Sequence, residues 1–144
     1  MISVRAATKD DQDFIFGLSH TRILATTTTK EEILTYLEDK NFLVLILLEG
    51  IEKTGYLCFR LEGQEAEIDE LAILDQSEGK GEATYLLNYG LSLLKKENYQ
   101  TVFLEVRENN KKAISLYERT GFKQYRRREN YYLTVSALCY KKEL

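Results

Sequence analysis

The chain has 144 residues, 44% of them hydrophobic and 30% charged, which suffices for a single domain over 1–144 with one core and little more. A net charge of −3 argues against a general nucleic-acid binder, and the longest nearly uncharged apolar run, Phe42 to Leu48, is far too short to span a bilayer. No basic-then-apolar leader opens the sequence, so a soluble, cytoplasmic protein without a membrane partner is expected.

Taken in chain order, Ile2 to Arg5 alternates and predicts a short strand. Thr8 with Asp11 resembles a capping arrangement, after which Phe14, Ile15 and Leu18 recur at helical spacing. Thr26 to Thr29 is a second cap zone, and Thr29 with Glu32 fits a capping box ahead of Ile33, Tyr36 and Leu37. Phe42 to Leu48 has no polar alternation and predicts a strand covered on both faces. A turn over Gly50 to Thr54 leads to its hairpin partner, Gly55 to Leu61, and Gly63 turns into a third strand, Ala66 to Leu74. Gly79 and Gly81 then open a helix whose apolar stripe is Ala83, Leu86, Leu87, Gly90, Leu91 and Leu94, with Lys95 and Lys96 at the end where cations suit the helix dipole. Thr101 to Val106 is a strand. Asn110 starts a helix with Ala113, Leu116 and Tyr117 on one face, and Gly121 is a natural glycine just past its end. Phe122 to Arg127 and Tyr131 to Tyr140 predict a closing pair of strands. The order of elements implies a mixed α/β sheet of about seven strands and four helices with at least one βαβ crossover.

Cys58 and Cys139 lack metal-ligand spacing and are expected as partly buried free thiols; no metal site is expected. His20 is the only histidine and follows an apolar helical stretch, so it is not expected to be catalytic. Charge is unevenly distributed. Glu62 to Glu78 carries Glu62, Glu65, Glu67, Asp69, Glu70, Asp75 and Glu78 with no base, whereas Arg107 to Arg128 is strongly basic. Two solvated faces explain this, as do a cationic substrate near the first stretch and a polyanion near the second.

The glycines of Asp75 to Thr84 sit between a strand and an amphipathic helix, where free N–H groups and the positive dipole end favour a phosphate. The loop is not a Walker A motif, because Glu82 follows the last glycine, and its spacing is not that of a Rossmann fingerprint.

The run Gly79-Lys-Gly-Glu-Ala-Thr-Tyr-Leu-Leu87 resembles the pyrophosphate loop of the GNAT superfamily, R/Q-x-x-G-x-G/A followed by a Leu-Leu pair. Gly81 and Ala83 match the small positions and Leu86-Leu87 the pair, while Glu78 stands where Arg or Gln is usual. A second register, with Gln76 first and Gly79 and Gly81 as the small pair, displaces the leucines by two. The block Leu104-Glu-Val-Arg-Glu-Asn-Asn-Lys-Lys-Ala-Ile-Ser-Leu-Tyr-Glu-Arg-Thr-Gly-Phe122 resembles a second superfamily motif. With Arg127, Arg128, Asn130, Tyr131 and Tyr132 it is most similar to the bacterial ribosomal-protein N-alanine acetyltransferases, although Glu129 interrupts that tail.

The resemblance implies a GNAT fold and an acetyl-CoA-dependent N-acetyltransferase. It implies cofactor contacts at Gly79, Lys80, Gly81, Glu82, Ala83, Thr84 and Asn110, and a backbone N–H within Leu71, Ala72 and Ile73 for the thioester carbonyl, on a strand that pairs with the pantetheine arm. It implies Glu105 as general base, with Glu70 and Asp69 as rivals, and Tyr117 as general acid toward the departing thiolate. Lys111, Lys112 and the tail arginines are candidates for the CoA phosphates. Three functions follow for comparison: acetylation of a protein N-terminal α-amine; acetylation of a small amine such as a polyamine, amino acid or antibiotic; and acyl-CoA binding without turnover. The sequence leaves monomer and homodimer both open.

Overall fold

The computed structural model describes residues 1–20, 28–132 and 134–144. Its elements are β1 (Ile2–Ala6), α1 (Gln12–His20), α2 (Lys30–Glu38), β2 (Phe42–Glu49), β3 (Glu52–Glu62), β4 (Glu65–Ile73), α3 (Glu82–Lys96), β5 (Thr101–Arg107), α4 (Lys111–Arg119), β6 (Lys123–Tyr132) and β7 (Val135–Glu143), with short 3-10 turns at Lys9–Asp11 and Asp75–Ser77. The seven strands form one sheet in the order β1-β2-β3-β4-β5-β7-β6. Every neighbouring pair is antiparallel except β4–β5. Parallel neighbours need a crossover, and α3 supplies it. The mixed α/β class expected from the sequence is therefore found.

Each face of the sheet is apolar for a different partner. Leu45, Leu47, Leu57, Phe59, Ile68, Leu104 and Val106 pack with Leu86, Leu87, Leu91, Leu94, Leu116 and Tyr117 of α3 and α4. Val44, Ile46, Tyr56, Cys58 and Ala72 pack with Ile15, Leu18 and Ile33 of α1 and α2. β2 contributes to both sets, which is why its sequence is uninterrupted by polar residues.

Some boundaries depart from the sequence expectation. β3 begins at Glu52, so the predicted Gly50–Thr54 turn contracts to Gly50, in the left-handed region at φ 63°, and Ile51. Asn130, Tyr131 and Tyr132 belong to β6 and not to the final strand. β6 is an edge strand of polar and aromatic residues, and without an apolar alternation its end is not marked in the sequence. Thr29 caps α2 as expected, accepting from the Glu32 N–H at 3.1 Å, while the Thr26 and Thr27 part of the cap zone lies outside the described residues.

Candidate active site

β4 and β5 run side by side only at the rungs Glu65–Thr101, Ala66–Val102 and Glu67–Phe103. Beyond them the strands part. The Leu74 N–H donates to Thr54 O at 2.8 Å, toward β3, so strand alternation sends the N–H groups of Leu71 and Ile73 away from β3. On the α3–α4 side the parting opens into a cavity of about 710 Å³. Leu71, Ile73, Gly79, Gly81, Glu82, Ala83, Thr84, Asn110 and Tyr117, all expected at the site, line it. Three expected residues do not. Ala72 is buried in the core toward α1 and α2 because neighbouring strand residues alternate faces. Lys80 is exposed outside the cavity lining, and Glu105 faces the other side of the sheet.

The start of α3 differs from those of α2 and α4. Thr29 caps α2 and Asn110 caps α4 with a side-chain oxygen, whereas α3 begins at Gly81, which offers none. The N–H groups of its first turn, beside the cavity, thus receive no side-chain cap from the N-cap residue. Gly79 and Gly81 hold φ of 79° and 78°, a conformation that a side chain would strain, and the space beside both is open. A helix N-terminus without a side-chain cap has the donors and dipole that suit an anion. Glu82, in the first turn, turns inward: it is buried, its Oε1 accepts from Thr54 Oγ1 at 3.1 Å, and its Oε2 is buried without a hydrogen-bond partner among the described residues. The sequence did not reveal this burial, because an acid in a helix's first turn is ordinarily a surface residue.

α4 fixes Tyr117. Asn110 Oδ1 accepts from the Ala113 N–H at 3.2 Å, the capping bond expected of it. At the other end Gly121 adopts φ 98°, and the N–H groups of Gly121 and Phe122 return to Glu118 O and Tyr117 O at 3.2 and 3.0 Å, a complete Schellman closure. The accompanying apolar contact is between Tyr117 and Phe122, whose rings meet edge to face at 5.7 Å. The Gly-Phe pair of the sequence motif is therefore the device that seats this tyrosine. Burial pushes the Tyr117 hydroxyl pKa up to about 12, so it holds its proton at any physiological pH.

On the opposite face a bulge in β4 sets the chemistry. Cys58 pairs with Glu70 and Phe59 with Ile68, which leaves Asp69 as the extra residue. Asp69 and Glu70, which strict alternation would send to opposite faces, both lie toward the α1–α2 side. Arg60 bridges Asp69 at 2.9 Å and Glu67 at 3.7 Å. Glu70 accepts a short hydrogen bond from the Tyr56 hydroxyl. Burial, with Asp69 beside it, raises the Glu70 pKa, against the lowering effect of Tyr56 and of His20. Glu105, on β5, is half-buried on this same face, with Arg128 Nη1 at 3.3 Å and Cys139 Sγ at 3.8 Å. Glu67 is raised by its own burial and then by the charges of Asp69 and Glu105, against the lowering effect of Arg60 and Arg128. Both cysteines are free, as expected, and more deeply buried than expected; no cluster of metal-ligating side chains occurs among the described residues.

The sequence profile of the acetyltransferase (GNAT) family matches residues 10–122. The chain belongs to that family. It is similar to the ribosomal protein bS18-alanine N-acetyltransferase of Haemophilus influenzae, with 36% identity over 95 residues that cover 66% of this chain and 64% of that protein. Its fold matches the crystal structure of the Escherichia coli ribosomal-protein alanine N-acetyltransferase, with a TM-score of 0.90 at 22% identity over 99% of this chain and 94% of the other. The PaiA N-acetyltransferase of Thermoplasma acidophilum, solved in complex with coenzyme A, has the same fold, with a TM-score of 0.83 at 18% identity over 100% of this chain and 99% of the other.

Within this GNAT frame the basic stretch Arg107 to Arg128 proves not to be one surface. Lys111, Lys112 and Arg119 line the cavity between α3 and α4. Arg128 joins Glu105 on the opposite face, and Arg127 bridges Glu108 and Glu129. Glu78, at the motif position that usually holds Arg or Gln, lines the cavity and has Lys112 Nζ at 3.7 Å. No helix among the described residues is long and apolar enough to cross a membrane.

Proposed function

We propose that this protein transfers the acetyl group of acetyl-CoA to the α-amine of a peptide or protein N-terminus. The observation that carries the reading is the parting of β4 and β5 beyond the Glu67–Phe103 rung, with Tyr117 at the opening's α4 side and Glu105 at its other side. The uncapped start of α3, with Lys111, Lys112 and Arg119 beside it, suits the pyrophosphate and phosphates of CoA. The β4 edge at Leu71, beyond the last rung with β5, suits the amide-bearing pantetheine arm and the thioester carbonyl.

In this scheme the chain's residues perform three tasks. Glu105 accepts a proton from the incoming ammonium, directly or through a water, and frees the lone pair that attacks. A β4 N–H holds the carbonyl oxygen as it gains negative charge. Tyr117, protonated at neutral pH, donates its proton to the thiolate as the C–S bond breaks, and the second proton lost by the attacking nitrogen as the amide forms restores the phenol. An α-amine titrates near ~8, against ~10.4 for a lysine, so a carboxylate base has less to overcome there than at a lysine.

The test is a panel of short peptides with free N-termini, the same peptides blocked at the α-amine but carrying an internal lysine, and small amines including a polyamine and free amino acids. Released thiol is read with acetyl-CoA present, and the product is located by mass spectrometry. The reading expects acetylation of free α-amines and not of blocked peptides. Turnover confined to the small amines overturns it.

A further inference from the structure

Among the described residues the acceptor face is only half covered. α1 and α2 pack over β2, β3 and β4, whereas no described helix packs over β5, β7 and β6 on the same face. Its composition changes across that line. On β4 it carries Glu67, Asp69 and Glu70, with Arg60 between them. On β6 and β7 it is basic and aromatic, and a second bulge produces this. Gln124 pairs with Tyr140 and Arg126 with Cys139, so Tyr125 is the extra residue, and Tyr125 and Arg126 fall on one face together.

Tyr125 and Tyr131 are 50% and 52% exposed, and Tyr125 stands edge to face with Phe103 at 6.0 Å. Lys141 lies over the Tyr125 ring at 5.5 Å and Arg128 over Tyr131 at 5.1 Å. Lys123 is directly opposite Lys141 in the β6–β7 register, an arrangement of like charges that costs stability in a sheet. Arg60 and Arg128 on this face have carboxylate partners; Lys123, Arg126 and Lys141 have none within ion-pair distance among the described residues. Glu143 shares the face but is bonded to Thr101 at 2.9 Å. The Nε of Arg128 is buried without a hydrogen-bond partner among the described residues.

Resting on the α-amine reading above, we propose that this open platform selects peptide acceptors whose first residues after the amine are acidic. The ammonium docks at Glu105, and the following carboxylates lie over Arg126, Lys123 and Lys141. The register sets the distance. Glu105 and Arg126 are both paired with Cys139 across two inter-strand gaps, roughly 10 Å in all, and extended peptide advances about 3.3 Å per residue. The third and fourth residues of an acceptor therefore reach the cations, and Phe103, Tyr125 and Tyr131 offer rings to whatever apolar atoms accompany them. The competing explanation is that the cations only guard an exposed edge strand against pairing with another chain.

The experiment uses peptides that begin with alanine and differ at positions 2 to 4, acidic, neutral or basic, each dye-labelled at its C-terminus. kcat/KM is measured with acetyl-CoA, and binding is measured separately by fluorescence anisotropy with CoA present. The acidic peptides are expected to exceed the basic ones by about tenfold or more in both readouts, the worth of two or three exposed charge pairs. The double variant Arg126→Glu/Lys141→Glu should invert that ratio and Arg126→Gln/Lys141→Gln should flatten it, with folding checked by circular dichroism. Acetylation of all peptides without a charge order, or an order unmoved by both variants, overturns the proposal while the α-amine reading stands. Charge-ordered binding without acetylation supports the platform and overturns the α-amine reading instead.

Discussion

On the α3–α4 side of the β4–β5 opening, the candidate site is made by regular structure: a helix that starts at a glycine, a helix closed by a glycine, and a strand edge. On the other side it is made by interruptions of regular structure, the bulges that set Asp69 beside Glu70 and Tyr125 beside Arg126. The difference fits the tasks proposed for the two sides. A side that meets a constant ligand can be assembled from backbone N–H groups and glycines, whose chemistry does not depend on a side chain. A side that meets a variable acceptor needs side chains crowded toward one point, and a period of two residues forbids neighbours from sharing a face unless a bulge intervenes.

The largest effect expected on the regular side is at Tyr117. Tyr117→Phe keeps the ring on Phe122 and removes only the hydroxyl, so turnover should fall by roughly 10²–10⁴ while acetyl-CoA affinity and Tm stay near wild type. Near-normal turnover on a verified acceptor would assign the tyrosine to packing alone. Next comes Gly81→Asp, which sets a charged side chain at a φ of 78° where the first-turn N–H groups lie beside the cavity. Acetyl-CoA at 100 times its Kd should stabilise the wild type by about 2.7 kcal/mol. The variant should lose that gain; a retained thermal shift removes the loop from the site.

These two predictions rest on features legible in the sequence. The glycines, the Leu-x-Val block and Tyr117 stand at fixed spacings, and spacing is what a regular element preserves. The motif places the carbonyl-binding N–H anywhere within Leu71, Ala72 and Ile73, but a strand gives alternate residues to alternate faces, and of the three only Leu71 and Ile73 line the cavity. The bulges were not legible, because an inserted residue in a strand leaves no composition signal. In the sequence Asp69 and Glu70 read together as rivals to Glu105, and Arg107 to Arg128 as one basic stretch. Glu82 was hidden for another reason: its partner Thr54 lies 28 residues away in sequence.

The bulged side is sharpened by comparing two carboxylates. Glu105→Gln should slow turnover by roughly 10²-fold, the lower end of general-base effects. Raising the pH should recover part of that loss, because more of the acceptor amine, with a pKa near ~8, is then already unprotonated. Glu70→Gln should slow it less, and without pH rescue. Because burial raises the Glu70 pKa, ionising it costs the folded state stability as pH climbs, so the glutamine should also hold Tm level or raise it at neutral pH. If Glu70→Gln shows the deeper, pH-rescued loss, the base sits on β4 and the roles are exchanged.

The smallest effect expected concerns what holds α1 over the acceptor side. Asp11, fully buried, receives Arg5 Nη1 and Nη2 at 2.8 and 3.0 Å, Lys53 Nζ at 2.6 Å and the Thr8 N–H at 2.8 Å. It thereby ties β1 and β3 to the turn that leads into α1. Burial alone would raise its pKa, but the hydrogen bonds from Arg5, Lys53 and Thr8 outweigh burial and hold it well below the usual carboxylate range. A depressed folded-state pKa contributes stability that is present above the unfolded value, ~3.9, and is lost as pH falls below it. Asp11→Asn should cost about 1–3 kcal/mol at pH 7, less than a fully buried ion pair because the Arg5 and Lys53 side chains are 40% and 31% exposed. Urea unfolding at pH 7 and pH 3 separates the contributions: wild type should lose more stability on acidification than the variant, so the gap between them narrows. The acetyl-CoA-induced thermal shift, which depends on the other face, should survive the substitution. An equal loss on acidification in both proteins would show that Asp11 is not the group whose protonation loosens α1.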